Sequence, residues 1–84
     1  MVTTPDKYHE LASLLRAGIG GDSASYGRFL SEISPILRRM IAAKVPSADV
    51  EDVLQEVLIS VHKARHTYDG ERPIMPWLAA ITHF

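Results

Sequence analysis

From Asp49 to Asp69 the chain reads DVEDVLQEVLISVHKARHTYD, and this stretch limits the possible folds more than any other. Val50, Val53, Leu54, Val57, Leu58 and Val61 recur at helical rather than alternating spacing, so the segment predicts one amphipathic helix with that stripe turned towards a core. Glu51, Asp52, Gln55, Glu56 and Lys63 occupy the opposite side. Ile59 falls among these polar groups by its spacing from Asp52, Gln55 and Glu56, and so does not share the core stripe. An apolar side chain framed by acids offers a docking surface.

The remaining segments also read as helices. Asp6 is placed to cap a short, peripheral helix over Asp6 to Ala17, with Leu11, Leu14, Leu15 and Tyr8 on one side and Gly18, Gly20 and Gly21 ending it; Met1 to Pro5 reads as a frayed start. Asp22 and Ser23 offer the cap of a second element, in which Phe29, Leu30, Ile33, Ile36, Leu37, Met40 and Ile41 keep a helical period to Lys44. Pro35 lacks an amide hydrogen and crowds the preceding turn, which predicts a kink or a break near Ser34. Ser47 or Asp49 caps the central helix, whose acids Glu51 and Asp52 suit its positive end, while Lys63, Arg65 and His66 suit the other pole. Asp69-Gly70, Pro73 and Pro76 then predict a loop over Thr67 to Met75 and a last helix over Trp77 to Phe84, with Pro76 in its first turn. No segment alternates like a strand, and the fold class expected is an all-α, small helical bundle.

At 84 residues the chain is long enough for one small domain, and with no cysteine it can hold neither a disulfide nor a thiolate metal site. No apolar run reaches membrane-spanning length and the N-terminus lacks a signal-peptide pattern, so the expected location is cytoplasmic. A net charge of −1 argues against nucleic-acid binding by bulk electrostatics. The charge is unevenly spread, however. Acids gather at Asp49, Glu51, Asp52 and Glu56, with Arg38, Arg39 and Lys44 before them and Lys63, Arg65 and Arg72 after, so that a basic partner can face the acidic helix while phosphates face the later segment.

Catalysis finds little support: there is no phosphate-binding loop with a lysine, no nucleophile elbow and no carboxylate pair whose burial the pattern demands. No enzyme activity, cofactor or metal is expected. His62 and His66 stand four apart, a metal-ligand spacing, but lack the zincin glutamate and an assured third ligand, so two polar residues near a helix end is the simpler account. His9 and His83 are isolated. His66, Tyr68, Arg72 and Trp77 bring aromatic planes and cations together over a short span, a mixture that can stack an unpaired base and hold its phosphate. Tyr68 and Trp77 fit equally as plugs between helices, and for Trp77 composition favours core packing.

Asp52-Val53-Leu54-Gln55-Glu56, Lys63-Ala64, Tyr68-Asp69, Arg72-Pro73 and Trp77-Leu78-Ala79-Ala80-Ile81, in this order and spacing, closely resemble region 2 of bacterial sigma factors, most nearly the extracytoplasmic-function (ECF) type. Asp22 to Lys44, with Phe29 and Pro35, looks like the first long helical segment of that region. The resemblance implies a transcription initiation factor domain that recruits RNA polymerase core to promoters, with Asp52, Gln55 and Glu56 docking on the clamp helices of the largest subunit; Ile59, placed on the same face by its spacing, would add apolar contact. It further implies that the His66 to Met75 loop and the following helix recognise and melt the promoter −10 element and hold a base flipped from the non-template strand, with Arg72 as a phosphate contact. Together with the aromatic and cationic mixture above, this makes His66, Tyr68, Arg72 and Trp77 the expected DNA contacts.

On this reading, residues 1–21 form an N-terminal extension with a short helix, and residues 22–84 form the region 2 domain. The last helix stops at Phe84 without the usual basic continuation, Thr82-His83 replaces a cationic start, and the second DNA-binding domain is missing, which leads us to expect a truncated chain that binds promoter DNA poorly alone. An anti-sigma factor is a further implied partner, and the N-terminal helix is left with two roles, packing on the bundle or contacting that factor. Rival readings are a helical protein-interaction module that does not bind DNA, and a metal sensor built on His62 and His66.

Overall fold

The computed structural model describes residues 5–82. Its helices are α1 (Pro5–Ile19), α2 (Ser23–Ala42), α3 (Val50–Ala64) and α4 (Ile74–Ile81), with single 3-10 turns at Ser47–Asp49 and Arg65–Thr67. No strand occurs among the described residues, in keeping with the all-α expectation. Met1 to Thr4, His83 and Phe84 lie outside the described residues; Pro5, the last residue of the expected frayed start, is helical, and the last helix, expected to reach Phe84, ends at Ile81 with Thr82 as its cap.

The core follows from the sequence periods. Phe29, Ile33, Leu37 and Ile41 recur every fourth residue along α2 and are fully buried, while α3 contributes Val50, Leu54, Val57 and Val61. Val53 and Leu58 of the predicted stripe pack half-buried at its margin. Cross-links set the directions of the helices. Glu10 meets Arg28 and Lys7 meets Glu32, so α1 and α2 run antiparallel; Tyr26 meets His62 and Arg38 meets Glu51, so α2 and α3 do too.

α1 corrects several expectations. It begins at Pro5, so Asp6 stands inside the helix rather than at its cap, and it is not peripheral: Leu11 and Leu15 are fully buried and its contact with α2 is the most extensive in the molecule. Gly18 does not terminate the helix. A Cβ there would sit 2.7 Å from Cβ of Tyr26, so the missing side chain is what lets α1 and α2 cross closely. The helix ends instead at Gly20-Gly21, where Gly21 takes φ of 113° and its amide bonds to Gly18 O while the Asp22 amide bonds to Ala17 O. This paired arrangement satisfies the orphan carbonyls of the last turn. Asp22 then caps α2: its carboxylate accepts from the backbone amide and hydroxyl of Ser25, which hold its pKa below the usual carboxylate value.

Pro35 does not break α2, which runs unbroken through it for 20 residues. The carbonyl that loses its donor belongs to Ser31, on the exposed side where water can serve it, and Ser34 turns its hydroxyl back onto Leu30 O at 2.8 Å. α3 is shorter than expected and stops at Ala64. Arg65 donates to His62 O and Thr67 to Ala64 O, so side chains satisfy the final carbonyls and the chain tightens into a 3-10 turn. At the other end neither Ser47 nor Asp49 makes a side-chain cap bond; the Ser47–Asp49 turn leads in. α4 starts before Trp77, at Ile74, because Ile74 and Leu78 dock together in the core and Pro76, third in the helix, needs no amide partner there.

Candidate interaction surfaces

Two surfaces remain once the core is assigned, one along α3 and one beyond its end. Asp52, Gln55, Glu56 and Ile59 are all exposed on a single side of α3, and Ile59 keeps 54% of its surface open. Neither Asp52 nor Glu56 forms an ion pair among the described residues. Glu51 behaves differently. Nε and Nη2 of Arg38 donate to its two oxygens at 2.8 and 3.2 Å, tying α3 to α2 and, through those hydrogen bonds, lowering the carboxyl pKa. One acid of the helix is therefore spent on the fold, and two stay open beside an exposed apolar side chain.

The segment after α3 is braced rather than loose. Tyr68 is buried, and its hydroxyl donates to Arg72 O at 2.6 Å across the loop; Asp69 accepts from the amides of Glu71 and Arg72. Burial raises the Tyr68 pKa, keeping the phenol a neutral donor. Trp77 is half-buried, lies 5.3 Å from the Tyr68 ring and donates from Nε1 to Thr67 Oγ1 at 3.0 Å. Tyr68 thus braces the loop from within, with a small part of its surface left to line the groove beside α1. His66 and Arg72 are exposed, and their side chains make no hydrogen bond among the described residues. Tyr68→Phe should lower stability by about 1 kcal/mol, because the Arg72 carbonyl loses its partner, and should speed hydrogen exchange over residues 69–72. Unchanged exchange there would mean that the strut does not hold the loop.

A further brace was not legible in the sequence. Nη1 of Arg16, in α1, donates to Gly70 O at 2.9 Å, and a Cβ on Gly70 would lie 2.6 Å from Cδ of Arg16. Gly70 reads as a turn residue in the sequence; nothing there links it to an arginine 54 positions earlier.

His62 and His66 do not come together as ligands. The Tyr26 hydroxyl and His62 Nδ1 hydrogen-bond at 2.8 Å, and Nη1 of Arg65 lies 3.4 Å from His62 Nε2. Both ring nitrogens of His62 are thereby engaged within the fold. No group of three candidate metal ligands occurs among the described residues.

Comparison with known proteins points the same way. Residues 26–84 match the sigma-70 region 2 family. Over 81 residues the chain is 32% identical to the ECF RNA polymerase sigma factor SigF of Caulobacter vibrioides (strain NA1000 / CB15N), covering 94% of this chain and 45% of that protein. The chain thus spans less than half the length of that relative. No solved structure matches the chain significantly.

Proposed function

Because the chain belongs to the sigma-70 region 2 family, we propose that it attaches RNA polymerase core to promoter DNA and binds the opened −10 strand. The observation that carries this reading is the exposed quartet Asp52, Gln55, Glu56 and Ile59, whose acids form no ion pair among the described residues, on the helix that leads into the braced 68–73 loop. Ile59 supplies apolar contact to the clamp helices of the largest subunit, and the surrounding charges steer and orient the encounter.

At the loop, Arg72 meets phosphate, while His66 and the partly open Trp77 ring lie beside the path of the strand. Unstacking a base costs a few kcal/mol, which contacts to the open strand offset, so melting follows from tighter binding of the open state than of the duplex. No covalent chemistry is involved. The site of action is the cytoplasm, with the polymerase; no described helix is long and apolar enough to cross a membrane. An anti-sigma factor is a second proposed partner. Leu11 and Leu15 commit the apolar side of α1 to the core, which leaves the exposed α3 face as the surface for it.

Capture of polymerase core by the immobilised chain tests the docking face. The double charge reversal Asp52→Lys with Glu56→Lys should weaken capture about tenfold or more, with the loss growing at low salt. Capture unaffected by the reversal would remove this face from the interaction.

A further inference from the structure

An open groove of about 470 Å³ lies between α1 and the segment after α3, within the size range of small-ligand sites. Tyr8, His9 and Arg16 line one wall; Arg72, Pro73 and Met75 line the other. Tyr8 is 44% exposed, and it and Ile59 are the exposed large apolar side chains among the described residues. Its hydroxyl makes no hydrogen bond among those residues, so nothing polar holds the ring where it is. Arg72 forms no ion pair among them either. Arg16 is engaged with Gly70 O and clasps the two walls together. Glu71 also lines the groove, against two arginines, so the balance of formal charge favours an anion.

Resting on the strand-binding reading above, we propose that α1 supplies the second wall of a nucleotide groove, in which Tyr8 stacks on one unpaired base of single-stranded DNA and Arg72 meets its phosphate. Arg16 acts as a positioning residue that sets the width of the groove. All of α1, Tyr8 and Arg16 included, lies before residue 26, where the family match begins, so that match assigns these residues nothing. The physical case is the combination of an open aromatic ring, a guanidinium with no ion pair among the described residues and a groove of suitable size. Stacking on such a ring tolerates any base, because every base has a π-face, whereas the phosphate contact depends on salt.

Amide-shift titration of the 84-residue chain with the single strands dA12, dC12 and dT12 tests the assignment. Resonances of Tyr8, His9 and Arg72 should move together. Tyr8→Ala should weaken binding about 5- to 100-fold and Tyr8→Phe less than about twofold, with the thermal midpoint unchanged since the ring lies outside the core. If Tyr8→Ala binds like the unaltered chain while Arg72→Ala is weakened, the α1 wall is wrong and the loop reading survives. If neither variant is weakened, or if no strand shifts the groove resonances, the proposal is overturned, and polymerase capture then decides separately whether the docking face stands.

Discussion

Ile59→Asp should weaken association with RNA polymerase core by about 100-fold or more while leaving the fold intact. A central apolar anchor in an interface typically costs about 2 kcal/mol or more when removed, a factor of about 30, and the new carboxylate would also have to be desolvated against a surface that offers apolar contact. Folding should hardly change, because Ile59 is 54% exposed and surface substitutions usually stay within about 0.5 kcal/mol. The combination is measurable: binding by surface-immobilised core polymerase, and stability by thermal denaturation of the same preparation. Full affinity in the folded variant would remove Ile59 from the interface. A collapse of the thermal midpoint would show instead that the residue supports the bundle.

Phe29→Ala makes the opposite test, a large loss of stability at a position no partner can reach. Phe29 is fully buried in α2, with its ring 6.2 Å from that of Tyr26. Truncation of a buried phenylalanine costs about 3–5 kcal/mol in lost transfer energy and residual cavity. Domains of this size have about 5–15 kcal/mol in all, and each kcal/mol moves the midpoint by about 4–8 °C, so a fall on the order of 15–30 °C is expected by circular dichroism. Since Tyr26 bonds to His62 of α3, the loosened site should also disturb the α2–α3 contact. A fall of only a few degrees would mean that the surrounding side chains close over the gap.

The helices α2 and α3 were legible because their periods are long and regular, and the acidic face because the four-residue set Asp52, Gln55, Glu56 and Ile59 shares one helical register. The exceptions have local physical causes. Pro35 leaves the helix intact because the carbonyl it orphans faces water. α3 ends early because Arg65 and Thr67 satisfy its carbonyls, a choice among rotamers that spacing does not reveal. Tyr68 and Trp77 each fit core or ligand, with composition favouring the core for Trp77, and the fold divides them: Tyr68 is buried, Trp77 only partly. Least legible was α1. Its short apolar set looks peripheral in isolation, and the partners that give it importance, Tyr26 opposite Gly18 and Gly70 opposite Arg16, are tertiary.

α3 joins the two surfaces as a rigid shaft, and a shaft has a phase as well as a length. Each residue of an α-helix turns the chain by about 100° and advances it about 1.5 Å. One residue added between Ile59 and His62 would swing the Asp52–Ile59 face by that angle relative to the loop, and would turn part of the Val50–Val61 stripe out of the core. A single substitution on the outer face, by comparison, alters one contact and leaves the register of the rest in place. An insertion or deletion in the helix therefore disturbs more at once than a substitution does, and the angular setting that fixes how the two surfaces face each other is a property no single residue carries.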